Sequence, residues 1–323
     1  MNVEQLYFLL WEFAGQRVVT VANRVGMLGR LAGPPVGTDE MAAELGLDGL
    51  ACAKMVRALC ALGLAERHGK EERYSLVAGL GEHFSGGEMD FGAFVEHAHG
   101  LYDRWGASLE EWVRTGEHVR GQRSRERVLQ FGRAMQASAS LLAPRVIEAL
   151  GKLEGIERVL DVGGGVGGYA AAFCRVNPKV SVTVLDVAEV AELGEEQWQG
   201  TELSGRIDYK AGDYHTAKMG QDYDLVLLAN VLHIEKPKDA AALIDRAADA
   251  LKPGGRLAVI DFEIDDDKHS NRMGALFAVN MRSFGDAHSL PQISGWLQVA
   301  GFGEIKKTSL PPAHWLIHGV KSG

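Results

Sequence analysis

Between Val159 and Tyr169 the chain reads Val-Leu-Asp-Val-Gly-Gly-Gly-Val-Gly-Gly-Tyr, an apolar run that breaks into glycine. Glycines this dense serve where a strand turns sharply into a helix and a ligand must approach bare backbone. Taken alone, Gly163, Gly165 and Gly168 also match the spacing of a dinucleotide-binding turn, so a nicotinamide dinucleotide stays open as the ligand at this point. Three carboxylates bear on the choice. Asp161 stands at the strand end just before the glycines, where a carboxylate faces a cationic amino-acid group. Asp186 closes the second apolar run, placed to accept two ribose hydroxyls, and Asp213 follows the third, placed to accept from an adenine amino group. Three acids at successive strand tips suit a positively charged ligand without a pyrophosphate, bound where open α/β sheets bind ligands. His233, one of 11 histidines, follows the fourth run; its place at a strand's carboxyl end makes it a site candidate.

These residues depend on an alternation of elements. Apolar runs at 158–162, 180–186, 206–210, 223–231 and 256–262 alternate with helical patterns at 169–176, 188–197 and 240–251, which predicts a parallel sheet covered on both faces. Residues 1–85 read differently. Helical spacing in Leu6-Leu9-Leu10-Phe13 and Val18-Val21-Ala22-Val25 is followed by a short helix from an N-cap at Thr38 to Gly46, and by a second over 51–62. Two short strands, 64–67 and 73–76, then flank the turn His68-Gly69-Lys70. Helix, helix, hairpin is the winged-helix order. Residues 90–150 are helical again, with Trp105 and Trp112 on one apolar stripe. The expected division is a helical winged-helix domain at 1–88, a helical connector at 89–150 and an α/β domain at 151–323.

Composition narrows the function. The net charge of −9 disfavours a polyanion partner, and residues 1–100 hold 8 Lys/Arg against 13 Asp/Glu, too few cations for phosphate contacts by the winged helix. A protein–protein role for that domain is the better expectation. Cys52, Cys60 and Cys174 are odd in number and without CxxC pairing, which suggests neither disulfides nor a zinc cluster. No membrane-spanning run or signal peptide is evident, so a cytoplasmic protein is expected.

With these motifs assembled, the chain resembles the class I S-adenosylmethionine-dependent methyltransferases, and within them the metal-independent O-methyltransferases of the plant caffeate and bacterial polyketide and phenazine type. The resemblance covers nearly the whole chain. It rests on the winged-helix start, Phe131-Gly-Arg-Ala-Met135, the glycine loop, Leu185-Asp186-Val187, Ala211-Gly-Asp213-Tyr214, Leu228-Ala-Asn230-Val-Leu-His233 and Leu251-Lys-Pro-Gly-Gly-Arg-Leu257. It implies a Rossmann-like catalytic domain, S-adenosyl-L-methionine as cofactor and a homodimer formed through the N-terminal domain. Gly163 and Gly165, with Gly164, would approach the methionine part; Asp186 with Val187 would hold the ribose; Asp213 and Tyr214 would flank adenine; Asn230 would complete the set. His233 falls at the family's general base, and Phe131, Met135, Ser138 and Met281 at the wall of the acceptor pocket. The implied reaction is O-methylation of a small hydroxylated, aromatic metabolite.

Two departures stand out. Plant members follow the base with Asp and Trp, whereas Ile234 and Glu235 stand here, and Ala287 occupies the position of a glutamate that orients the base, with Asp286 as the neighbouring acid. Non-methylating chemistry on the same cofactor, decarboxylation or hydroxylation, is therefore the alternative, and a ligand-sensing winged-helix regulator the rival from another class. His97 and His99 point apart on a helix, and Asp265-Asp266-Asp267 reads as a solvated loop, so no metal is expected.

Overall fold

Asn2 opens α1 (Val3–Arg24) with a full capping box: its side chain accepts from Gln5 N at 2.9 Å, and the Gln5 side chain accepts from Asn2 N at 2.8 Å. α2 (Met27–Leu31), β1 (Val36–Gly37), α3 (Thr38–Leu45) and α4 (Gly49–Ala61) follow, then β2 (Ala65–His68) and β3 (Arg73–Leu76). Gly37 rather than Thr38 holds the N-cap of α3, and Asp48 caps α4 by accepting from Ala51 N at 2.8 Å. The expected hairpin gains a third strand, because Val36 pairs with Tyr74 in the order β1-β3-β2. Two residues are too few to show alternation in a sequence. Met27, Leu28, Leu31, Met41, Val56 and Leu59 fill a core between the helices and this sheet.

The computed structural model describes residues 1–69, 72–87, 90–117, 124–151, 153–265, 271–282 and 285–323. Lys70 of the expected turn, Asp266 and Asp267 of the acidic run, and Ser283 and Phe284 lie outside the described residues. The chain divides into two units, Met1–Arg104 and Trp105–Gly323, so the division falls inside α5 (Gly92–Thr115). α6 (Arg125–Leu150) belongs to the second unit: its Leu142, Ala143, Val146 and Leu150 are buried with Tyr169 and Phe173 of α7 (Gly168–Val176).

The second unit is the alternating one. β4 (Arg158–Val162), β5 (Ser181–Asp186), α8 (Ala188–Trp198), β6 (Ile207–Ala211), β7 (Tyr223–Ala229), α9 (Pro237–Ala250) and β8 (Leu251–Phe262) follow the predicted order, with β8 beginning at Leu251 rather than Arg256. α10 (Arg272–Met281), α11 (Leu290–Val299), β9 (Phe302–Leu310) and β10 (His314–Lys321) complete it. The seven strands run β6-β5-β4-β7-β8-β10-β9, parallel except for β10, which is antiparallel to both its neighbours. This is an α/β fold.

Side chains alternate across the strands. Val159, Leu225 and Leu227 pack with α6 and α7, while Leu160, Val226 and Leu228 pack with α9 and α11 on the opposite face. Full burial of each such side chain contributes about 1.5–3 kcal/mol, which makes β4 and β7 the rigid centre of the sheet. Strand order reverses between them, since the chain proceeds from β4 outward to β5 and β6 and then returns to β7. The crevice at their carboxyl ends is therefore the place for a ligand. Among the described residues no helix is long and apolar enough to cross a membrane.

Candidate active site

The glycine loop borders this crevice. Gly163 has φ +66° and a side chain there would come 2.8 Å from a methyl of Val231, whereas Gly165, at φ +60°, has nothing within 4 Å of where its side chain would stand. The first glycine lets the loop pass close to the end of β7, and the second leaves open space above bare backbone. Asp186 ties this loop to the tip of β5, accepting from Gly165 N at 2.9 Å and from Val187 N at 2.8 Å. Asn230 leaves β7 at φ +56°; its N–H donates to the Ile260 carbonyl at 2.8 Å, and its side-chain oxygen is buried without a partner. At the tip of β6, Asp213 is exposed and accepts from His215 N at 2.8 Å, and the Tyr214 hydroxyl donates to Glu235 at 2.6 Å. Burial and that carboxylate both raise the Tyr214 pKa, keeping it a donor.

Asp161 lies beneath the loop. It is 1% exposed, and neither of its oxygens has a hydrogen-bond partner. The reason is the alternation along β4: Asp161 shares the Val159 side, and a side chain at Gly164 would stand 2.5 Å from its carboxylate. Burial first, and then the charge of Asp186, push its pKa up to about 7. A buried acid with nothing to neutralise it is costly, and such groups cluster at functional sites.

One turn beyond β7, the short 3-10 helix Leu232–Ile234 carries His233, which is 6% exposed. Asp261, near the end of β8, holds it twice, accepting from His233 N at 3.0 Å and from its Nδ1 at 2.6 Å. Phe262 N donates to the same carboxylate at 2.7 Å. Burial alone would raise the Asp261 pKa; the charge and hydrogen bond of His233 and the two backbone N–H groups bring it below the usual carboxylate value. An ionised carboxylate only accepts, so Nδ1 carries a proton, and in the uncharged ring the lone pair is therefore on Nε2. The acid on the imidazole is thus Asp261 of β8, whereas a residue at 286–287 is expected from the sequence. Ala287 is 1% exposed and carries no polar group, and His233 Nδ1 is already taken from β8. The signal was an aspartate inside the apolar run Leu-Ala-Val-Ile-Asp-Phe, because a charge in a central strand requires a partner.

Aromatic rings enclose the imidazole. Phe277 of α10 meets it edge-on with centroids 4.6 Å apart, Phe262 lies at 5.7 Å, and the two phenyl rings stack at 3.6 Å. His314 packs on Phe262 at 4.3 Å, and burial pushes its pKa down to about 4 despite the nearby Asp261. The expected acceptor-pocket residues lie on two helices. Phe131, Met135 and Ser138 recur at four and three residues along α6, hence on one side of it; Phe131 is 52% exposed and the others are half-buried. Met281, also half-buried, is four residues beyond Phe277 on α10. Among the described residues no group of three or more His, Cys, Asp or Glu side chains is placed to hold a metal ion.

A glycine loop at a topological switch point, acids on neighbouring strand tips and a histidine–aspartate pair beside them define a Rossmann-like α/β enzyme that works on small molecules. More narrowly, the family model for the O-methyltransferase domain matches residues 94–303, and the chain belongs to the O-methyltransferase family. It is 28% identical to the 3-hydroxy-5-methyl-1-naphthoate 3-O-methyltransferase of Streptomyces sahachiroi, over 97% of this chain and 93% of that one. It is also 28% identical to the tetracenomycin polyketide synthesis 8-O-methyl transferase of Streptomyces glaucescens, over 97% and 95%. The solved structure of human N-acetylserotonin methyltransferase in complex with SAM covers all of this chain and is itself fully covered, with a TM-score of 0.84 at 22% identity; it shares the fold.

Proposed function

We propose that this enzyme transfers a methyl group from S-adenosylmethionine to a hydroxyl of a small aromatic metabolite, with His233 as general base. The observation that carries the reading is the His233–Asp261 pair, 2.6 Å apart and walled by Phe262 and Phe277. The names of the two Streptomyces relatives, both O-methyltransferases of aromatic or polyketide compounds, support the acceptor class.

The residues suit this cofactor. In this reading Asp186 would accept from the ribose diol, Asp213 and Tyr214 would flank adenine, and Gly163, Gly164, Gly165, Val187 and Asn230 would complete the cofactor site. The residues from Gly163 to Gly168 include no Lys or Arg to meet a pyrophosphate, and the buried Asp161 carboxyl below the loop is one that a nearby cation would hold ionised. When bound, S-adenosylmethionine supplies a methyl group made electrophilic by its sulfonium. A phenol is a poor nucleophile until its proton leaves; His233 Nε2 accepts that proton, and Asp261 stabilises the resulting imidazolium. Phe262 and Phe277 exclude water, and Phe131, Met135, Ser138 and Met281 form the wall that holds the acceptor oxygen in line. Such positioning supplies several kcal/mol.

Incubation of the pure protein with methyl-labelled S-adenosylmethionine and a panel of hydroxynaphthoates and other phenols tests the assignment. Label in an O-methylated product is expected, and a panel that stays unlabelled throughout overturns it.

We also propose that two copies pair through the first unit. α1 leaves Phe8, Leu10, Trp11 and Phe13 exposed at 71%, 64%, 56% and 50%, large apolar side chains all around one stretch of helix, which water does not favour on a monomer. Its central part carries one acid, Glu12, and no base between Gln5 and Gln16. A second identical surface is the partner such a face suits. Light scattering should give twice the chain mass, and replacement of Leu10 and Trp11 by Glu should give monomers; a monomeric natural chain at micromolar concentration excludes the pairing.

A further inference from the structure

The histidine base sits on a turn too short to hold itself. Leu232–Ile234 is three residues long, and its internal bonds are Ile234 N to the Val231 carbonyl at 3.1 Å and Glu235 N to the Leu232 carbonyl at 2.9 Å. Asp261 restrains the imidazole from the β8 side. On the other side stands His288, a residue the reaction does not use. It is 3% exposed, and its Nε2 lies 3.0 Å from the carbonyl oxygens of both Leu232 and Glu235, one before the base and one two residues after it. Both partners only accept, so Nε2 carries a proton and donates to the two in a forked bond. Nδ1 is buried without a partner, and burial lowers the pKa of the ring, which keeps it uncharged despite Asp261 and Asp286.

The brace is anchored. His288 directly precedes Ser289, whose capping box with Gln292 starts α11, and Trp296 of that helix packs edge-on against the His288 ring at 5.1 Å. Ile293 and Leu297 bury α11 in the sheet core. At Gly285 the same segment passes so close that any side chain would collide with the His233 carbonyl. His288 thus links the base turn to the start of α11.

We propose that His288 is a positioning residue for the methyl transfer: by joining the carbonyls that flank His233 it fixes where the base meets the acceptor hydroxyl. It acts through backbone, where an acid at position 287 would act on the imidazole itself. A misplacement of the order of 1 Å at a reacting group costs up to ~100-fold in rate. The inference rests on His233 as the base, and two kinds of readout keep the two ideas apart.

Three variants test it. His288→Gln places an N–H donor at the reach of Nε2, His288→Asn withdraws it to the reach of Nδ1, and His288→Leu removes it. Gln is expected to retain kcat within about threefold, whereas Asn and Leu lower it roughly 30-fold with the KM for S-adenosylmethionine unchanged within about twofold. In proton NMR, the downfield His233 Nδ1–H signal of the natural protein should persist in the Gln variant and broaden in the Asn variant. Should Leu not fold, the contrast between Gln and Asn carries the test. Asn with natural kcat and an unbroadened signal, or Gln as impaired as Asn, overturns the inference. Natural turnover in His233→Ala removes the base reading instead, and the NMR contrast still reports on the brace.

Discussion

Replacing His233 by Ala is expected to lower kcat by about 10²- to 10⁴-fold, the range that one general base supplies, while S-adenosylmethionine binds as before. Replacing Asp261 by Asn should have a smaller effect of about 10- to 100-fold, by a different route. The carboxylate accepts from His233 Nδ1, His233 N and Phe262 N. An amide offers one acceptor and one donor group, so its NH2 faces either His233 N or both His233 Nδ1 and Phe262 N, and in either orientation the imidazole loses a charged partner. Loss of a bond inside a buried charged network also destabilises the fold, so thermal unfolding must accompany the kinetics. The pair should separate in pH: in Asp261→Asn the imidazolium is no longer stabilised, and the acid limb of kcat/KM moves to lower pH. Equal turnover in natural and His233→Ala protein across pH 6–9 removes the base, and an unmoved acid limb in Asp261→Asn removes the pairing.

Asp161→Asn is expected to make the ligand-free protein more stable at alkaline pH and worse at holding its cofactor. The folded-state pKa of Asp161, about 7, lies above its ordinary 3.8, because the buried carboxylate has no donor. An acid raised on folding contributes its full stability only below the unfolded value near 3.8, and that contribution is lost as pH rises through about 7. Between pH 5 and pH 8 the natural protein should lose about 3 kcal/mol through this group, and the Asn variant should not. Cofactor affinity should fall roughly tenfold in the variant at pH 8, since a cation above the loop loses an anion below it. Denaturant titrations at the two pH values, with calorimetry of S-adenosylmethionine binding, measure both. A variant with the same pH slope as the natural protein shows that Asp161 is neutralised in another way. A variant that is more stable but binds equally well shows that the charge serves no ligand.

Periodicity and chain order made much of this protein legible without coordinates. The apolar runs that became β4, β5, β6, β7 and β8 and the glycines after Val162 are local features, because a strand buried on both faces and a turn beneath a ligand each need particular residues in consecutive positions. Acids after β5 and β6 and a histidine after β7 could be assigned to one edge from the parallel order alone, since every such strand delivers its carboxyl end to the same side. What tertiary structure decided was pairing across distance. The partner of His233 is Asp261, 28 residues away, through a neighbouring strand whose register places the two side by side, and not the loop at 286–287. The burial of Asp161 beneath Gly164 and the reach of His288 to the base turn have the same origin. Hydrogen bonds and burial depend on which elements pack together, and packing is settled by the whole core rather than by any stretch of the chain.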